Sequence, residues 1–235
     1  MNIVMLNGQN HKESTYHIGR RIIDKISGEN NVTEFFFPRD FNHFCVGCYK
    51  CIEDASACPY YDDKKVILEA IKDADLLVIT TPTYCMHVSA PLKTFIDMTF
   101  DYWMVHKPKK CMFSKRAVVI STSAGAGSKS AIKDVCDALT YVGVSSVIKY
   151  GIAVQAMNWK GVAEKKKGKI ERDTDKIAKK LSMKKKPKVS VKTKFLFNIM
   201  RMMHKKGWDS SPTERVYWEN EGWLDKKRPW KEGTM

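Results

Sequence analysis

The chain has 235 residues, 43% of them hydrophobic, which suits one full core plus an appendage and argues against two equal domains. Its formal charge of +15 is lopsided, with a net of +2 over residues 1–156 and +13 over residues 157–235. This excludes a nucleic-acid face spread over the whole molecule, and no stretch approaches the roughly 18 apolar residues of a membrane span.

The opening MNIVMLNGQNHKES has no basic and apolar signal region, and its run at 2–6 reads as a strand. The loop that follows, Asn7 to Thr15, places Gly8, His11, Lys12, Ser14 and Thr15 directly before a helix expected near 15–28. Backbone N–H groups at that helix start, the two hydroxyls and the two basic side chains suit a phosphate dianion. The same loop also reads as an ordinary capped strand-to-helix turn. It matches neither the G-x-G-x-x-G nor the nucleotide P-loop pattern. A second strand is expected at 32–37.

After it comes FCVGCYKCIEDASACP, in which Cys45, Cys48 and Cys51 are spaced C-x2-C-x2-C and Cys58 precedes a proline. Four thiolates on one compact loop suit a [4Fe–4S] cluster; a zinc site with four cysteine ligands and free or redox-active thiols are the alternatives. Seven cysteines so distributed fit a reducing compartment better than a disulfide framework, and we expect a cytoplasmic protein. Cys111 and Cys136 have no partner pattern and read as small buried hydrophobes.

Helices at 64–73, 91–105 and 129–143 alternate with strands at 75–80, 117–122 and 146–154. Nearly continuous apolar strands alternating with helices indicate a parallel, doubly wound sheet. In such sheets ligands bind beyond the carboxyl ends of the strands. There, Pro82, Thr83, Tyr84, Cys85 and Met86 offer a rigid turn and an aromatic face, and Thr122, Ala124, Gly125 and Gly127 a small, flexible loop for the polar edge of a flat ring.

Beyond the sheet, residues 158–182 read as a helix with Val162, Ile170, Ile177 and Leu181 on its apolar side. We divide the chain into a domain over 1–184 and a basic, aromatic-rich extension over 185–235. The extension holds a short amphipathic helix through Phe195, Leu196, Ile199, Met200 and Met203, then Trp208, Trp218 and Trp223. So many aromatics need a surface to cover, on this chain or on a second copy.

The phosphate loop, TPTYCMHVSAPLKTFID and STSAGAG, in that order and spacing, resemble the NAD(P)H-dependent FMN reductase family and its iron–sulfur flavoprotein relatives over residues 1–156. The resemblance implies a flavodoxin-like fold with strand order 2-1-3-4-5 and non-covalent FMN at the carboxyl edge of the sheet. Gly8, His11, Lys12, Ser14 and Thr15 would take the phosphate. Pro82, Thr83, Tyr84, Cys85 and Met86 would line the isoalloxazine with Thr122, Ala124, Gly125 and Gly127. His11 stands where the family commonly has Arg, and the loop is one residue shorter. The implied activity is transfer from NAD(P)H through FMN to a quinone, nitro compound, flavin or iron–sulfur acceptor, in a homodimer or tetramer. No catalytic acid or base is required, because the flavin carries the chemistry. The alternative is a non-enzymatic FMN/[4Fe–4S] carrier that docks a protein donor such as ferredoxin.

Overall fold

The computed structural model describes residues 1–183 and 187–231. The expected domain boundary at 184/185 lies outside the described residues. Five strands, β1 (Asn2–Asn7), β2 (Asn31–Phe36), β3 (Leu76–Pro82), β4 (Arg116–Ser123) and β5 (Ser146–Ala153), form one sheet in the order β2-β1-β3-β4-β5. Every pairing is parallel, as a flavodoxin-like fold requires.

The strands read as apolar runs because both faces are covered. On one face Ile3, Met5, Val78 and Ile120 meet Ile18 and Ile22 of α1 (Ser14–Asp24) and Ile170 of α6 (Glu164–Ser182). On the other, Leu6, Ile79 and Val119 meet Ile67 of α3 (Tyr61–Asp73), Phe95 of α4 (Ala90–Asp97) and Val135 of α5 (Ser128–Tyr141).

Two helices are shorter than their patterns suggest. The one expected over 91–105 stops at Asp97, where Met98 N–H and Thr99 N–H turn back to Phe95 O and Ile96 O and the Thr99 hydroxyl donates to Ile96 O at 2.7 Å. The one expected from 158 starts at Glu164, because Gly161 N–H donates to Asn158 Oδ1 at 2.9 Å and closes a turn first. Trp159 in that turn lies on α1, under the Arg21 guanidinium at 4.5 Å.

The extension covers its own chain. Phe197 of α7 (Val191–Lys205), Trp218 of α8 (Pro212–Asn220), Trp223 and Leu224 form a third cluster with Met104 and Phe113. Trp218 Nε1–H donates to His106 O at 2.7 Å and the Tyr217 hydroxyl to Pro108 O at 2.6 Å. The buried face of α7 runs through Thr193, Phe197 and His204, whereas Phe195 and Trp208 are 64% and 60% exposed. Among the described residues no helix is long and apolar enough to cross a membrane.

Beneath α8 lies a buried polar lock. Glu214, fully buried, accepts from His106 Nδ1 at 2.5 Å and from Ser210 N–H at 2.8 Å, and His204 pairs with Asp209 beside it. Burial pushes the Glu214 carboxyl up, but the His106 and Ser210 hydrogen bonds and the neighbouring imidazoles outweigh it and hold it below its ordinary value. A depressed carboxyl stabilises the fold above its unfolded value of about 4.3, and that contribution is lost as pH falls through the folded value. Glu214→Gln is therefore expected to lower unfolding stability by about 2–3 kcal/mol near neutral pH. The difference from wild type should shrink in acid, as read by urea denaturation followed through tryptophan fluorescence.

Candidate functional site

The loops leaving β1, β3 and β4 meet at the carboxyl edge of the sheet. Strand register sets Asn7 beside Thr80 and Pro82 beside Thr122. Gly8 N–H donates to Thr80 O at 2.7 Å, and a Cβ on Gly8 would stand 2.5 Å from Ser89 Oγ. The Gly8 amide is thus committed to the strand end. Gly8 is the joint that lets the first loop lie against the third. Ser89 completes that joint: its hydroxyl donates to Gly8 O at 2.8 Å and accepts from the Thr81 hydroxyl at 3.1 Å. Ser89→Ala would remove the hydroxyl that pairs Gly8 O in a buried site, while the Thr81 hydroxyl keeps Pro82 O and the residue-89 N–H, a cost of about 1–3 kcal/mol. We expect a lower melting temperature and faster loss of FMN on dialysis.

After the β1 loop, α1 begins without a side-chain cap, which leaves its first-turn N–H groups open to a ligand. Glu13, at the cap position, turns its carboxylate to Trp159 N–H at 2.6 Å. Ser14 and Thr15 are buried residues whose hydroxyls have no partner among the described residues. His11 and Lys12 are exposed, and Lys12 Nζ lies 5.1 Å from the Tyr16 ring centroid. Arg39, absent from the sequence reading, joins them: its N–H donates to Asn10 Oδ1 at 3.1 Å and its guanidinium sits over Phe36.

At the ring end, residues 84–87 make a two-residue turn, with Tyr84 N–H donating to His87 O at 3.1 Å and His87 N–H to Tyr84 O at 3.0 Å. Cys85 and Met86 occupy its centre at φ 47° and 70°, left-handed conformations that non-glycine residues adopt only when the surroundings impose them. Asp134 of α5 imposes this one, bonding His87 Nδ1 at 3.0 Å and Val88 N–H at 3.2 Å. Thr83 is tied to β4 through its N–H to Thr122 O at 2.8 Å and its hydroxyl with Ser121 Oγ at 2.9 Å.

The β4 loop closes on this turn. Gly127 has φ 92°, and a Cβ there would stand 2.7 Å from Thr83 Cγ2 and 3.0 Å from Met86 Cα. Tyr84, Cys85, Met86, Ala124 and Gly125 are exposed, Pro82, Thr83 and Gly127 half-buried, and Thr122 buried. Ser123 Oγ, missed in the sequence, is buried with no partner among the described residues, a hydroxyl that a ligand's polar edge would satisfy. Uncapped amides, free hydroxyls, an orphaned Ser123 and a glycine cradle together fit a phosphorylated flat-ring cofactor. From Gln9, Tyr84 and Cys85 a cleft of about 910 Å³ runs between α4 and α5 to Trp103 and Tyr141. The Trp103 and Tyr141 rings stack at 4.9 Å.

The cysteines form a second site. Cys45, Cys48, Cys51 and Cys58 all line one cavity of about 300 Å³, walled by Tyr49, Asp97, Met98 and Phe100. Cys51 sits in the single turn of α2 (Lys50–Glu53), which the extension braces: the Thr213 hydroxyl donates to Ile52 O at 3.1 Å. Burial pushes the Cys51 thiol up to about 11, Asp101 adds to that, and Lys64 opposes it. Among the described residues no three of these sulfurs lie within 4.8 Å of one another. A zinc centre held by four thiolates, with Zn–S near 2.3 Å, needs sulfurs about 3.8 Å apart. Asp97, at the end of α4, lines both this cavity and the cleft, so one helix of roughly 12 Å joins the two sites.

Comparison with known proteins places the chain. It is 29% identical over 142 residues to an iron-sulfur flavoprotein of Methanocaldococcus jannaschii, covering 57% of this chain and 69% of that one. It is 30% identical over 98 residues to an iron-sulfur flavoprotein of Archaeoglobus fulgidus, covering 41% and 48%. An FMN-dependent NADH:quinone oxidoreductase of Shewanella sp. is 31% identical over 119 residues, covering 45% and 60%. In fold it is similar to an FMN-dependent NADH-azoreductase from Bacillus anthracis, with a TM-score of 0.59 at 13% identity over 77% of this chain and 100% of that one. The profile of the NADPH-dependent FMN reductases matches residues 1–157, two thirds of the chain, and the protein belongs to that family of NAD(P)H-dependent flavin oxidoreductases.

Proposed function

We propose that this chain passes electrons from NAD(P)H through FMN at the three-loop site to a [4Fe–4S] cluster on Cys45, Cys48, Cys51 and Cys58, and from there to a redox-protein acceptor. The observation that carries the reading is the shared wall: Asp97 and the end of α4 border both the cysteine cavity and the cleft that opens at Tyr84 and Cys85. Bound FMN supplies the exchange between two-electron hydride and one-electron chemistry, and the protein supplies binding, orientation and electrostatics.

Ser14, Thr15 and the first-turn amides of α1 would hold the phosphate, with His11 and Lys12 adding positive charge. Tyr84 and the turn at Cys85 and Met86, with the Ala124–Gly127 loop, would hold the ring. The cleft toward Trp103 and Tyr141 would admit the nicotinamide. Four cysteines lining one cavity support a cluster there.

Around the cysteine mouth Phe44, Val46 and Tyr49 are 70%, 66% and 63% exposed, which suits a protein acceptor better than a free small molecule. The same rim favours a second reading, in which a protein donor replaces NAD(P)H; fast turnover with NADPH alone would exclude it. We also propose a cytoplasmic homodimer, to be checked by light scattering on the holoprotein.

Anaerobic reconstitution with FMN, Fe²⁺ and sulfide tests the cofactor set. We expect flavin bands near about 375 and 450 nm over a broad iron–sulfur shoulder near about 400 nm. Flavin bands without iron or sulfide would remove the cluster from the scheme.

A further inference from the structure

Behind the cysteine cavity lies a charge that the fold has no evident need to bury. Lys64, in the first turn of α3, is 1% exposed. Its Nζ donates to Met98 O at 3.2 Å, and Met98 lines the cavity wall. Its acidic neighbour, Asp101, is 2% exposed and stands 3.5 Å away, too far for the short hydrogen bond of a close ion pair, and Asp101 Oδ1 has no hydrogen-bond partner. Burying an ammonium costs several kcal/mol unless nearby negative charge offsets it. Asp101 supplies that charge only loosely, and an ammonium has three donors, of which Met98 O takes one.

Further negative charge would come from the cysteines of the cavity once they ligate a cluster as thiolates. Asp101 and Lys64 both act on Cys51, in opposite senses, so the pair stands inside the field of the cavity. Four thiolates around a [4Fe–4S] core leave a net negative charge, and each electron taken up adds one unit more with no bond made. A fixed positive charge beside the core favours the reduced form.

We propose that Lys64 is the counter-charge of the cysteine cavity, raising the reduction potential of the cluster held there so that it can accept electrons from the reduced flavin at the other end of α4, with Asp101 opposing it. This rests on the cluster assignment above. Lys64 is a positioning and tuning residue, since nothing places it in contact with the cluster or the substrate.

The test is redox titration with dithionite and mediators of the full-length protein reconstituted with FMN, iron and sulfide, followed by electron paramagnetic resonance. Lys64→Met is expected to shift the cluster midpoint to more negative potential, Lys64→Arg to leave it close to wild type, and Asp101→Asn to shift it to more positive potential. The FMN content should stay unchanged in all three. A purely structural ion pair would give no shift, or shifts of the same sign in Lys64→Met and Asp101→Asn, and either result overturns the proposal. If Lys64→Met folds and binds FMN but takes up no cluster, restoration by Lys64→Arg supports the counter-charge and failure of both overturns it. A wild-type protein that takes up no iron and sulfide removes the cluster assignment itself and this role with it.

Discussion

Cys51→Ser is expected to reduce iron and sulfide uptake to background while FMN binds as in wild type. Cys51 is built into the fold: it is half-buried, it sits in the α2 turn, and the hydrogen bond from Thr213 to Ile52 O fixes that turn. A [4Fe–4S] core takes four thiolates, and a serine hydroxyl is a poor replacement at one corner. The flavin loops contain none of these residues, so the two cofactors should separate cleanly in this variant. Cys111→Ser serves as the control, because Cys111 lies outside the cavity. Iron and sulfide content equal to wild type in both Cys51→Ser and Cys58→Ser would show that the cysteines hold no cluster.

Gly127→Val is expected to weaken FMN binding by roughly 30-fold or more, the equivalent of about 2–4 kcal/mol. Two costs add at this position. A valine at φ 92° is held in a conformation that its branched side chain disfavours, and its Cβ would lie 2.7 Å from Thr83 Cγ2 and 3.0 Å from the Met86 backbone. Thr83 cannot yield easily, because its N–H and hydroxyl are both bonded to β4. The β4 loop must therefore lift away from the 84–87 turn, opening the ring site while the buried sheet stays intact. Fluorescence titration of FMN into the apoprotein reads the affinity, and an unchanged melting temperature of the apoprotein would confirm that the effect is local.

Strands β1, β3 and β4 were legible because each is buried on both faces, the edge strands β2 and β5, only partly buried, stood out by their β-branched and aromatic residues, and the alternation with helices implied the parallel order. The ends of α4 and α6 were not. They depend on single hydrogen bonds, from Thr99 to Ile96 O and from Gly161 to Asn158, which an apolar period cannot register. In α7 Leu196 and Met200 of the visible stripe pack against the third cluster, but Phe195 is exposed and the most buried positions are Phe197, Thr193 and His204. The two polar ones gained no apolar signal; Ser190 pairs with Thr193 and Asp209 with His204 Nδ1.

The same limit shaped the site. The four cysteines and the glycine-rich loop announced themselves by spacing and composition. Ser89, at the cap position of α4, carried no such signal: its side chain makes no capping bond and reaches Gly8 O instead. Asp134 and Arg39 carried no local signal, because each acts on a loop distant in sequence.

Anaerobic titration of the FMN- and cluster-loaded protein with NADPH, and separately NADH, tests electron entry most directly. We expect stoichiometric bleaching of the flavin band near about 450 nm with at least one of the two nucleotides, followed by loss of the iron–sulfur shoulder as electrons pass on. A protein that takes up no FMN, or a bound flavin that stays oxidised under excess of both nucleotides, would contradict it.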